Sequence, residues 1–343
     1  MKKSGRATFL IVLVLILSLL VFVACDDKGA SPNEPNVPNT PNVPNGDNSQ
    51  SQQGGGDNQD NYTEGLVFKA HTALDGTVAV VGYDGFDNEV VIPSEYEGHA
   101  VTRIGEGAFQ GIFGLKSVTI PDSILAISSQ AFSGCTGLTS IAIPKNVTEI
   151  GMSAFEGCVG LTDITIPDKV KSIGNFAFSK CTGLTHVAIP DSVTSIGEDP
   201  FYGCTGLTTV NWNATACTSA ESSSYSIFNG CTNLTTISIG ENVTTIPSYA
   251  FFGCNGLTSI VISDSVTSIG DGAFYYCTGL TSVTIPNSVT FIGAYAFVNC
   301  DNLTSIRFNG TKEQWTAIKM RAVLREVMPS PCTIVCSDVT IEI

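Results

Sequence analysis

Apolar residues return along this chain with a period of 23. In the stretch C-V-G-L-T-D-I-T-I-P-D-K-V-K-S-I-G-N-F-A-F-S-K that begins at Cys158 they occupy Leu161, Ile164 and Ile166, then Val170 and Ile173, then Ala177 and Phe178. Cys181 closes the unit. Cysteines fall at 135, 158, 181, 204, 231, 254, 277 and 300, a step of 23 residues at every interval except one of 27. A fixed period of this length is the signature of a solenoid. Ile164 and Ile166 alternate with Asp163 and Thr165, which predicts a short strand with one buried face. Pro167 has no N–H to donate and ends that ladder. Gly174 then allows a tight bend, and Ala177, Phe178 and Cys181 have the spacing of about one helical turn. One such unit cannot enclose a core, so successive units must stack and bury each other's apolar slots. The pattern therefore predicts an α+β repeat solenoid of about nine 23-residue units, roughly 45 Å long at about 4.8 Å per coil.

The I-P, I-G, A-F and C-x-x-L landmarks of each unit resemble the BspA-like leucine-rich repeat family of bacterial cell-surface proteins, whose repeats have the same length. The resemblance runs from Leu66 nearly to the C-terminus and implies a right-handed coil of the leucine-rich-repeat type with a cap at each end. Residues 90–105, with Val91, Ile92, Pro93, Val101, Ile104 and Gly105, look like the family's opening unit. Residues 66–89 look like its N-terminal cap, where Asp75, Gly76 and Thr77 suit a hairpin turn. Gly310, Thr311 and Trp315, then Cys336, Ser337 and Asp338, resemble its C-terminal cap. Caps are also a physical requirement, since an open end would expose apolar slots and strand edges. The organisation expected is a signal segment at 1–24, a tether at 25–64, an N-terminal cap and first repeat at 65–102, the solenoid at 103–309 and a C-terminal cap at 310–343.

The N-terminal residues bear on compartment. Lys2, Lys3 and Arg6 precede an almost wholly apolar run from Phe9 to Val23, and Ala24 then precedes Cys25. That order reads as a secretory signal and resembles a bacterial lipoprotein signal peptide, which implies lipidation at Cys25 and a lipid anchor in a membrane. The alternative is an uncleaved apolar anchor, since about 15 to 18 apolar residues approach the length that spans a bilayer. Both hold the chain at a membrane with the remainder outside the cytoplasm, either on the cell surface or facing the periplasm. Between Asp26 and Glu64 the character changes. Pro35, Pro38, Pro41 and Pro44 recur every third residue, and Gly54, Gly55 and Gly56 follow in a polar stretch. Without large apolar residues to bury, this segment reads as a disordered tether.

Charge and residue chemistry remove several functions. With 16 Lys plus Arg against 31 Asp plus Glu, and a net charge of −15, nothing basic is available to displace counterions from a polyanion, so nucleic acid is not an expected partner. His71, His99 and His186 lie far apart and lack the spacing of a helical zinc pair, so no metal is expected. No G-x-S-x-G elbow appears and no histidine is placed as an obvious base. The Gly105, Gly107, Gly111 spacing belongs to the repeat landmark. No catalytic residue and no cofactor are therefore expected. The eight regularly spaced cysteines read as buried thiols, because free cysteine behaves as a small hydrophobe and Ile112 occupies the same slot in the first repeat. A disulfide remains open for Cys332 with Cys336, and Cys217 is an isolated thiol.

What remains is surface. Between the inward strand residues lie short polar outward ones, which lose little side-chain entropy on binding. Asp163, His186, Asn211 and Arg307 stand out on that face as candidate contacts. The 27-residue unit departs from the pattern in the stretch 213–227, where extra residues emerge as a loop of the kind that often binds. Trp212 and Tyr225 beside it are candidate anchors, although Trp212 also fills the slot of a buried Ile. The resemblance implies an adhesin whose ligands are extracellular proteins such as fibronectin or fibrinogen, or other cells. The competing readings are a structural envelope protein that associates with itself and a glycan-binding module.

Overall fold

The computed structural model describes residues 62–70, 76–219, 226–320 and 331–342. The signal segment with Cys25, the tether as far as residue 61, His71, Asp75 and Tyr225 lie outside them.

Leu66–Ala70 pairs antiparallel with Val78–Tyr83, which forms the N-terminal hairpin, and Gly76 takes a φ of +63° in the connection. Val78–Tyr83 then pairs in parallel with His99–Ile104, and the coil begins. Each unit contributes two extended segments. The first, two-residue segment carries the isoleucine of the I-G landmark and stacks in register, Ile104 on Ile127, Ile150, Ile173 and Ile196. That ladder reaches Thr218–Ser219. It resumes beyond the irregular unit at Thr245–Ile246, Ser268–Ile269, Phe291–Ile292 and Lys319–Met320. The second segment forms parallel groups, among them His186–Ile189, Thr209–Trp212 and Thr236–Ile239, then Ser259–Val261, Ser282–Ile285, Ser305–Phe308 and Thr333–Val335. Thr340–Glu342 pairs antiparallel with the last strand and covers its edge. The solenoid makes about ten turns, caps included.

Three expectations change on seeing the fold. The α component almost vanishes: among the described residues the single α-helix is Lys312–Ala317 in the C-terminal cap, started by a capping box between Thr311 and Gln314. The Ala177–Cys181 segment is a run of tight turns instead. Ala177 N–H donates to Gly174 O, Ser179 N–H to Phe176 O and Cys181 N–H to Phe178 O, at 3.3, 3.0 and 3.2 Å. The intervening amides of Phe176 and Phe178 donate to Glu198 O and Pro200 O of the next coil. A helix would need those amides for its own carbonyls, and stacking takes them instead.

Gly174 is also required for a different reason. Its φ is not positive; the left-handed residue is Phe176, at +56°. A Cβ on Gly174 would stand 2.5 Å from Met152 N and 2.6 Å from Gly151 C of the preceding coil. The glycine of the I-G landmark thus lets two coils approach.

Finally, Ile141 and Ile164 keep their alternation without a regular ladder. The amides of Thr139 and Thr162 reach the coil before them only at 3.4 Å, at the long end for N–H···O bonds. The Ile127–Ile150–Ile173 ladder of the same coils pairs in regular register.

The core runs the length of the coil in columns. Nine phenylalanines, from Phe109 to Phe297, stack almost parallel with centroids 5.1 to 6.1 Å apart. Beside them runs the cysteine column. Cys135 Sγ donates to Phe109 O at 3.0 Å, Cys181 to Phe155 O at 3.1 Å and Cys300 to Phe274 O at 3.1 Å. All described cysteines are free thiols, Cys332 and Cys336 included, and Cys217 is half-buried. Burial pushes the thiols of Cys135, Cys217 and Cys254 up to about 12, because an apolar interior disfavours thiolate.

Candidate binding face

The period of two inside the second segment divides each coil into an inward and an outward set. Val187 and Ile189 are buried, and His186 and Ala188 between them are exposed. Val210 and Trp212 are likewise buried against half-buried Thr209 and exposed Asn211, and Ile306 and Phe308 against half-buried Ser305 and exposed Arg307. Parallel pairing without slippage aligns the outward residues in rows: His186 beside Thr209, Ala188 beside Asn211, Asn211 beside Ser238. Threonines just ahead of the strands brace neighbouring coils. Thr185 Oγ1 donates to Thr162 O at 3.3 Å and Thr208 Oγ1 to Thr185 O at 3.0 Å. Part of the threonine content is therefore structural, and the face it supports is rigid.

Two candidate residues meet on this face. His186 Nε2 lies 3.0 Å from Asp163 Oδ1, and Thr185 Oγ1 stands 3.5 Å from the other ring nitrogen. Asn211 is exposed on the next strand, within the same group. Arg307 is exposed but stands apart, on a strand beside Thr284 and Val335. Trp212 does not belong to the surface. It is fully buried, packs edge-to-face on Phe251 at 5.8 Å, and leaves its Nε1–H without a partner. The isoleucine slot sits on the inward side of the strand and carries the indole with it, so Trp212 is a core residue and no contact for a partner. Tyr225 and the rest of the extra loop at 220–225 lie outside the described residues.

The His186–Asp163 pair was readable in advance, because the two positions differ by one repeat and so share a column. Lys145 with Asp122, at 2.7 Å, follows the same rule. One feature had a weaker signal. A groove of about 430 Å³ opens at the end of the strand face, lined by Thr165, Asp168, Ala188, Asp191, Asn213, Gly240 and Glu241 among others. It lies where Asn213 and Gly240 replace the proline that Pro167 and Pro190 supply to the preceding coils, so the lost landmarks themselves marked the place.

The repeat also matches known proteins. Residues 102–226 and 214–319 match the BspA type leucine-rich repeat region, in six copies. Among solved structures, the leucine-rich repeat protein of T. pallidum is 30% identical, covering 57% of this chain and 88% of that one with a TM-score of 0.50. A leucine-rich cell surface protein from Faecalibacterium prausnitzii is 26% identical over 76% of this chain and 98% of that one, with a TM-score of 0.34. The pneumococcal vaccine antigen PcpA is 16% identical over 81% and 98%, with a TM-score of 0.32. No curated protein matches the chain. The family match spans well over half of the residues, and its repeats coincide with the stacked coils, their phenylalanine column and their cysteine column: this chain belongs to the BspA-type leucine-rich repeat family.

Proposed function

We propose that this chain is a membrane-anchored bacterial surface protein that holds ligands without transforming them, an adhesin presenting its strand face to extracellular host proteins or to other cells. The observation that carries the reading is that face itself: short exposed side chains in register, on coils braced by inter-coil hydrogen bonds, with the His186–Asp163 pair and Asn211 together on it. A rigid surface of small polar groups loses little conformational entropy when a partner docks. The lipid attached at Cys25 would hold the protein to the membrane, and the proline-rich tether would lift the solenoid from it. The cell-surface description of the Faecalibacterium prausnitzii protein supports the same placement.

Binding to immobilised fibronectin and fibrinogen tests the reading. Asn211→Arg combined with Ser238→Arg places two bulky cations on adjacent strands without touching the core. The wild-type chain is expected to bind at least one of the two proteins, and the double variant to bind at least about tenfold more weakly. Equal binding by both chains would remove the strand face from the interaction, and binding to neither host protein would remove the proposed ligands.

A further inference from the structure

The turn edge of the last coils carries an aromatic ledge separate from the strand face. Phe252, Tyr275, Tyr276 and Tyr295 lie with ring centroids 4.6 to 6.2 Å apart. Tyr276 is 45% exposed and Tyr295 48%. Inter-coil backbone bonds fix the ledge, Gly253 N–H to Tyr275 O at 2.9 Å and Tyr276 N–H to Val298 O at 3.0 Å.

Two of these tyrosines stand where the backbone favours other residues. Tyr276 has a φ of +61° at a position that is glycine in six other coils, at Gly111, Gly134, Gly157, Gly203, Gly230 and Gly253, and Lys180 and Asn299 in two more, all at positive φ. Tyr295 has a φ of +58° at a position held by Gln130, Ser153, Asp199 and Gly272 in other coils, and by the aromatics Phe176 and Tyr249 in two more, all at positive φ. A bulky residue in the left-handed region carries a backbone strain that glycine would relieve. Since Tyr276 and Tyr295 remain about half exposed, core packing alone does not account for them.

Charge points to the occupant. Between Lys180 and Arg307 the chain has no lysine or arginine, and it carries the carboxylates of Asp191, Glu198, Asp199, Glu221, Glu241, Asp264, Asp271 and Asp301. Asp271 lies on the ledge's own coils, its backbone oxygen accepting from Tyr249 N–H and its side chain from Ala294 N–H beside Tyr295. Partly exposed aromatic rings beside Asp271, in a stretch of chain without lysine or arginine, suit a planar cation, which stacks on such rings while the negative charge attracts it. We propose that the ledge at Phe252, Tyr275, Tyr276 and Tyr295 is a docking surface for an arginine-bearing segment of a partner protein. This goes beyond the strand-face reading and does not rest on it.

The test uses the full chain and a synthetic peptide of alternating arginine and glycine, followed by fluorescence anisotropy. A matched peptide with citrulline in place of arginine and a neutral cello-oligosaccharide serve as the other probes. Tyr276→Gly with Tyr295→Gln installs residues that other coils carry at the same positions, so the variant keeps both fold and charge. The arginine peptide is expected to bind the wild-type chain, to bind the double variant about tenfold more weakly, and to lose its affinity when citrulline replaces arginine. Equal binding to both chains would mean that charge alone attracts the peptide and would overturn the proposal. So would tyrosine-dependent binding of the citrulline peptide or the oligosaccharide in place of the arginine peptide.

Discussion

Cys158 Sγ lies 3.2 Å from the carbonyl oxygen of Phe132, and its thiol donates to that oxygen. The bond links the cysteine column to the phenylalanine column of the preceding coil, and Cys204 with Phe178 and Cys277 with Phe251 repeat it at 3.1 Å. The thiol is thus both a small hydrophobe and a second donor to a buried carbonyl that also accepts from Cys135 N–H.

Cys158→Ala removes that donor and leaves a small void. Urea unfolding is expected to show a loss of about 1 to 2 kcal/mol. A thiol reagent should leave the column untouched in the folded protein and label it after denaturation.

Buried thiols of the column make the fold sensitive to alkali. Burial raises the folded pKa of Cys135, Cys158, Cys181, Cys254 and Cys277, to about 12 for Cys135 and Cys254, so the unfolded chain releases those protons first. Their contribution is constant below the unfolded value near about 8.5 and declines above it, by about 1.4 kcal/mol per pH unit for each thiol. Denaturation midpoints at pH 7.5 and pH 10 check this, with a marked fall expected at the higher pH.

Phe178 stacks between Phe155 and Phe201, at centroid distances of 5.3 and 5.2 Å. Phe178→Ala should cost about 3 to 5 kcal/mol. Because each coil contacts chiefly its neighbours, hydrogen exchange should rise most in the coils on either side.

Asp199 is a buried carboxyl in the turn edge. Burial pushes its pKa up, the Ser226 N–H that donates to Oδ1 opposes the shift, and Glu198 adds a smaller upward push. The folded state therefore holds this proton longer than the unfolded one, and the associated stability falls as pH rises from about 4. Asp199→Asn keeps the acceptor and removes the charge. It should stabilise the protein modestly at pH 7 and leave it unchanged at pH 3, as thermal melts at the two pH values would show.

The repeat and the outward alternation were legible because each depends on local spacing, and Ile164 against Asp163 reads the same in sequence and structure. Other features depend on how coils meet. The period of Ala177, Phe178 and Cys181 fits one helical turn as well as a chain of tight turns, and only the bonds from Phe176 and Phe178 to the next coil decide between them. Trp212 drew notice for its residue type, while its place in the isoleucine column set its burial. The ledge around Tyr276 passed unnoticed because its members belong to three different coils. The absence of Lys and Arg between Lys180 and Arg307 was there to be read.

The central claim is that the solenoid is displayed outside the cell as a binding surface. Protease shaving of intact cells carrying the native protein, with an antibody against the repeats and a periplasmic control, tests it most directly. Loss of the repeats while the control stays intact is the result predicted; full protection of the repeats would contradict surface display and the adhesin reading with it.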